Sequence, residues 1–148
     1  MTLKAQIQSD MKTAMKAGEK ERLSTIRMLL AAIQTREIEA RSELPDQDVL
    51  AVVEKLVKQR KDSAKQFADA GRPEREAAEL SEAETLQGYL PAQMSEAEIA
   101  TLVDEIVTAT GASGMQDMGK VMGAIKAKAQ GRADMGMLSA LVKARLSA

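Results

Sequence analysis

Pro45-Asp46-Gln47-Asp48-Val49-Leu50-Ala51-Val52-Val53-Glu54-Lys55-Leu56-Val57-Lys58 opens the stretch that decides the fold, and the stretch runs on through Ala64 and Phe67 to Gly71-Arg72-Pro73. Val49, Val53, Leu56, Val57, Ala64 and Phe67 recur at the spacing of one helix face rather than at the alternation of a strand. Pro45-Asp46 is a helix-start signal and Gly71-Arg72-Pro73 a stop. The same period lies upstream. Leu3, Ile7, Met11, Ala14 and Met15 precede Gly18, and Leu23, Ile26, Leu30 and Ile33 form a second stripe that extends to Ile38. A shorter helix is expected from about Pro73 to Gln87, after which Gly88 and Tyr89-Leu90-Pro91 break the pattern.

Beyond the break, Ser95-x-x-Glu98 spells a capping box, in which each side chain satisfies the other's free backbone N–H. Ile99, Leu102, Val103, Ile106 and Val107 then share one apolar face up to Gly111. The next helix starts between Ser113 and Asp117 and carries Met118, Val121, Met122, Ile125 and Ala129. Gly131 supplies a left-handed stop and Asp134 an N-cap for a last helix with Leu138, Leu141, Val142 and Leu146. No Asn-Gly or Asp-Gly hairpin signal interrupts these runs. The chain is therefore expected to be all-α, with an N-terminal bundle of long helices over residues 1–90 and a compact three-helix unit over residues 91–148. Protease cutting is expected near residues 88–95, around Pro91, before either half is degraded.

Composition narrows the chemistry. The 148 residues include no His, Cys or Trp, and Phe67 and Tyr89 are the aromatic residues. This excludes a thiolate nucleophile, a zinc finger, a haem ligand and a Ser-His-Asp triad. One aromatic pair cannot build a base-stacking platform. The net charge of −1 gives no global reason to expect nucleic acid, so any such case rests on local patches. The opening residues lack a signal-peptide pattern and no run of about 18 apolar residues occurs. A cytoplasmic protein without membrane contact is expected.

Several short motifs fail on context. Gly114-Met115-Gln116-Asp117-Met118-Gly119-Lys120 nearly spells a phosphate-binding loop, but Val121 stands where the hydroxyl that holds Mg²⁺ belongs, and a helical run precedes it in place of a strand. Ser9-Asp10-Met11-Lys12 matches a Ser-x-x-Lys nucleophile without its companion motifs. Glu96, Glu98, Asp104 and Glu105 form an acidic cluster, yet Glu96 and Glu98 fall in a first helical turn, where negative charge suits the dipole. No metal and no cofactor are expected.

Local charge is more informative. From Asp117 onward Lys120, Lys126, Lys128, Arg132, Lys143 and Arg145 outweigh Asp117 and Asp134, for a net +4. Several of these cations flank the Gly131 turn, so Lys120, Lys128, Arg132 and Lys143 are candidate contacts for phosphate oxygens. The ordinary reading is a solvated helix face. Gly119 and Gly123, one turn apart, are read as a close helix–helix contact. A second cluster, Lys55, Lys58, Arg60, Lys61 and Lys65, lies on the third helix, and Arg27 is expected to be partly buried in a polar contact beside the second stripe.

Asp117-Met118-Gly119-Lys120-Val121-Met122-Gly123, Gly131-Arg132-Ala133-Asp134 and Leu141-Val142-Lys143-Ala144-Arg145-Leu146 resemble the C-terminal tail of the GatB/YqeY family, which ends the B subunit of the tRNA-dependent amidotransferase. Tyr89-Leu90-Pro91-Ala92-Gln93-Met94-Ser95 resembles the hinge before that tail, and Arg27-Met28-Leu29-Leu30-Ala31-Ala32-Ile33 with Glu37-Ile38-Glu39 resembles the N-terminal domain of stand-alone YqeY-like proteins. The resemblance implies a two-part helical protein with a tRNA-contacting second part, in which Gly119, Gly123, Gly131 and Asp134 carry the motif. Nothing in the chain resembles the subunit's catalytic domain, so the carbon–nitrogen ligase label of the family arrives without an active site. The leading reading is a non-catalytic tRNA-associated module. The alternative is a protein–protein interaction adaptor with no nucleic-acid role; the partner is expected to be tRNA or a protein of amidotransferase or synthetase type.

Overall fold

A computed structural model describes residues 1–147. Seven α-helices account for most of these residues: α1 (Leu3–Ala17), α2 (Lys20–Ala40), α3 (Asp46–Asp69), α4 (Pro73–Gln87), α5 (Glu96–Thr110), α6 (Met118–Ala129) and α7 (Met135–Ser147). A short 3-10 turn, Met115–Asp117, leads into α6, and no strand occurs among the described residues. The all-α expectation holds. The contacts divide the chain into two compact units, Met1–Leu90 and Pro91–Ala148.

In the first unit the period of the sequence becomes the core. Ile7 and Ala14 of α1, Ile26, Leu29 and Ile33 of α2, Val49, Val52, Val53 and Val57 of α3 and Leu86 of α4 are buried together. The helix ends follow local chemistry. The Thr2 hydroxyl accepts from the Ala5 N–H, and Gly18 closes α1 in the left-handed region at φ +71°, which a residue without Cβ adopts at no steric cost. Pro73 stands in the first turn of α4, where its missing N–H has no partner to lose.

Two expectations about α2 fail. The stripe does not run on to Ile38, which is 70% exposed near the end of the helix, and Leu29 rather than Leu30 is fully buried. Arg27 is exposed, its guanidinium near the Met15 sulfur at 4.0 Å. The arginine that is held within the unit is Arg60, which bridges Glu79 at 3.5 Å and Glu82 at 3.4 Å and so ties α3 to α4.

The second unit buries Ile99, Leu102, Val103, Ile106 and Val107 of α5 against Val121, Ile125 and Ala129 of α6 and Leu138, Val142 and Leu146 of α7. The Ser95–Glu98 capping box is complete in both directions. Asp134 caps α7, its carboxylate accepting from the Gly136 N–H at 3.2 Å. No helix of the described residues is long and apolar enough to cross a membrane.

Candidate functional site

The turn between α6 and α7 is held by several hydrogen bonds to the segment before α5. Gly131 takes φ +77°, is buried, and lets the chain reverse without a Cβ in the way. Its carbonyl accepts from the Gln93 side-chain amide at 2.8 Å, and the Arg132 carbonyl accepts from the Met94 N–H at 2.8 Å. The Arg132 guanidinium donates through Nε to the Ala92 carbonyl at 2.9 Å and lies 3.7 Å from the Glu98 carboxylate. Gly131-Arg132 is thus stitched to the segment that leads into α5. Its cation is engaged by that segment at the surface of the unit.

Lys120 is engaged as well. Its ammonium donates to the Thr110 carbonyl at 3.1 Å, one of the otherwise unpaired carbonyls at the C-terminal end of α5. Arg145 pairs with Asp104 at 3.3 Å. The remaining cations of the unit differ. Lys126 and Lys128, in the last turn of α6, and Lys143 on α7 are exposed and make no hydrogen bond or ion pair among the described residues.

Of the four candidate phosphate contacts, Lys128 and Lys143 thus have no side-chain partner among the described residues, whereas Lys120 and Arg132 donate to the unit's own backbone. Lys126, not among those four, joins the free set. Its exposure follows from helical position: it adjoins the buried Ile125, so it faces solvent while the core face is filled.

The glycine expectation needs correction. Gly119 and Gly123 are exposed, and a Cβ added at either would meet nothing within 4 Å among the described residues, so no helix of the second unit packs against them there. The glycines that resemble a contact motif lie on the open face of α6, which also bears Lys120 and Lys126.

The loop-like stretch before α6 is no nucleotide cradle. Gly114 is extended, the 3-10 turn follows, and Lys120 is bound to Thr110. In the acidic cluster, Glu98 serves the capping box and Arg132, and Asp104 pairs with Arg145. No group of three or more acidic ligands suited to a metal occurs among the described residues.

The first unit holds a polar depression that the sequence does not announce. Gln6, Asp10, Arg22, Glu84 and Tyr89 line it. The Tyr89 hydroxyl donates to the Asp10 carboxylate at 2.6 Å, across 79 residues of sequence. Burial and that neighbouring carboxylate push the phenol well above its ordinary range. Tyr89 was legible only as part of the chain break after α4, because its partner is set by tertiary contact.

The profile of the family described as Yqey-like protein matches residues 4–146. Proteins named "Altered inheritance of mitochondria protein 41, mitochondrial" are similar to the chain. The one from Lachancea thermotolerans is 38% identical over 108 residues, 70% of this chain and 57% of the relative. The one from Pyrenophora tritici-repentis is 30% identical over 130 residues, 86% of this chain and 71% of the relative. The one from Kluyveromyces lactis is 37% identical over 108 residues, 70% of this chain and 58% of the relative. The chain thus spans less than two thirds of the Lachancea and Kluyveromyces relatives' lengths.

Proposed function

The chain belongs to the Yqey-like protein family, and from that premise we propose that it is a non-catalytic module that binds the phosphate backbone of tRNA through Lys128 and Lys143, with Lys126 beside them. One observation carries this reading. In a unit whose other cations are consumed by its own carbonyls and carboxylates, these three lysines are exposed and without a partner among the described residues. The resemblance of 117–123, 131–134 and 141–146 to a tRNA-contacting tail supports the choice of anion.

Each ammonium acts as a compact point charge that displaces condensed counterions when it meets a phosphate. Such contacts position the RNA without reading its sequence. With Phe67 and Tyr89 as the aromatic residues of the chain, base stacking contributes little, and recognition goes by shape. Lys120 and Arg132 lie outside this contact set: they hold the end of α5 and the turn after α6. No chemistry at a substrate is involved: isolated chain should turn over no ATP with Glu-tRNA present. A cytoplasmic location belongs to the same reading, and cell fractionation tests it; the word "mitochondrial" in the relatives' names is said of those proteins.

The test is fluorescence anisotropy of labelled tRNA against the full chain and its Lys128→Ala/Lys143→Ala variant. Binding that weakens in the variant, with helix content unchanged, supports the reading; equal binding overturns it. A second reading rests on Met137 and Leu141, which leave apolar surface 40% and 42% exposed on α7. A protein partner of amidotransferase or synthetase type that stays bound after nuclease treatment, while no tRNA binds, would favour that adaptor.

A further inference from the structure

The first unit carries a second open surface, independent of the reading above. Residues 41–45 join α2 to α3, and a groove opens between the two helices. Ala32, Ala51, Val52 and Leu56 floor a groove of about 350 Å³ there, with Arg36, Glu39 and Lys55 on its rim. The groove exists because its side chains are short. The alanines end at Cβ, whereas Leu29, Ile33, Val49 and Val53 fill the core on another face of the same two helices.

Charge gathers along the α3 edge. Lys55, Lys58 and Lys65 stand three and seven residues apart in turn, within one stripe of an α-helix that the exposed Asp62 interrupts. All three are exposed and make no hydrogen bond or ion pair among the described residues. Arg36 is only loosely held, 3.9 Å from Glu39 with both side chains more than half exposed.

This same helix already holds one acidic helix. α4 carries five glutamates and one arginine over Pro73–Gln87. It lies along α3 with Arg60 between Glu79 and Glu82, while Ala83 and Leu86 are buried. We infer that the α2–α3 groove docks a second acidic amphipathic helix, supplied by a partner protein. Its bulky apolar side chains fill the space over Ala32 and Ala51, and its flanking carboxylates meet Arg36, Lys55 and Lys58. From Ala51 to Gln59 the lining of α3 runs about 12 Å at 1.5 Å per residue, so roughly two turns of the partner are seated. A nucleic-acid backbone would use the lysines but leave the apolar floor wet, which is why the geometry points to a protein helix.

The test uses the full chain and a fluorescein-labelled synthetic peptide of about four helical turns, with leucine at i, i+3, i+4 and i+7 and glutamate elsewhere. Saturable micromolar binding is expected. Ala51→Trp, at an exposed position, fills the groove, and Lys55→Glu/Lys58→Glu reverses its edge; each should weaken binding about tenfold or more, as loss of a central contact does. Lys128→Ala/Lys143→Ala should leave it unchanged. Circular dichroism establishes that each variant is folded, and the charge reversal keeps the test open should the tryptophan variant misfold. Absence of saturation, equal binding by both groove variants, or equal binding of a scrambled peptide of the same composition would each overturn the inference. So would tRNA that competes with the peptide and weakens on Lys55→Glu/Lys58→Glu, since the occupant would then be nucleic acid.

Discussion

Arg132 donates its Nε–H to the Ala92 carbonyl at 2.9 Å, closing the turn before α7 onto the segment that leads into α5. A cation beside a glycine turn reads as a ligand contact, yet here it satisfies the protein's own backbone. Arg132→Ala should cost roughly 1–2 kcal/mol, chiefly from the lost charged hydrogen bond, because the half-exposed Glu98 pair is screened by solvent. Urea denaturation measures the loss. Where the variant remains folded, its tRNA affinity should match that of the unaltered chain; a large fall in affinity without a fall in stability would return Arg132 to the binding surface.

Gly119 and Gly123 should be replaceable. Both sit inside α6, and the methyl group of an alanine at either position would have nothing within 4 Å to displace. Gly119→Ala and Gly123→Ala should each stabilise the chain by about 0.5–1 kcal/mol, through the lower conformational entropy of alanine in the unfolded chain. Thermal melting decides. Destabilisation would mean that something presses on this face after all.

Tyr89 is the single tyrosine, so its ionisation is visible by ultraviolet titration without overlap. Burial, then the hydrogen bond to Asp10, raises its folded value above the ordinary one near 10. The stabilisation is therefore complete below the ordinary value and is lost as pH rises toward the folded one. Phenolate absorbance should lag well behind that of free tyrosine until the chain unfolds in alkali. Tyr89→Phe should cost about 1 kcal/mol, a typical single hydrogen bond. An ordinary titration curve would contradict the part-buried Asp10 contact.

Glu37 makes the opposite prediction. Its carboxylate accepts from Lys4 at 2.7 Å and from the Leu44 N–H at 3.0 Å, and these hydrogen bonds hold it below the usual carboxylate range. Its contribution is present at neutral pH and is lost as pH falls through the lowered folded value. Carboxyl-carbon NMR titration should show the midpoint rising in Lys4→Met, while Leu44 keeps it short of the ordinary value. No movement of the midpoint would exclude the Lys4 contact in solution.

The helices were legible because their signals are local. The apolar period around Val49 and Val53, the Ser95–Glu98 box, the Gly131 reversal and the Asp134 cap each act within a few residues, and each is found where the spacing puts it. The misreadings are tertiary. Ile38 continues the period of α2 near its end but finds no neighbour to cover it, and Arg27 has solvent where Arg60 has Glu79 and Glu82. At the candidate site, charge told which residues are cationic but not which are spent. The partner of Arg132 lies 40 residues away and that of Lys120 lies 10 away, distances over which composition carries no information.

The measurement that bears most directly on function is the salt dependence of tRNA affinity, compared between the full chain and Lys128→Ala/Lys143→Ala. Each phosphate neutralised contributes about 0.7–0.9 to the slope of log affinity against log salt. Loss of two contacts should therefore flatten the slope by roughly 1.4–1.8 and weaken binding alike for tRNAs of different sequence. An unchanged slope, or no tRNA binding at low salt, would contradict the proposal that these lysines meet an RNA backbone.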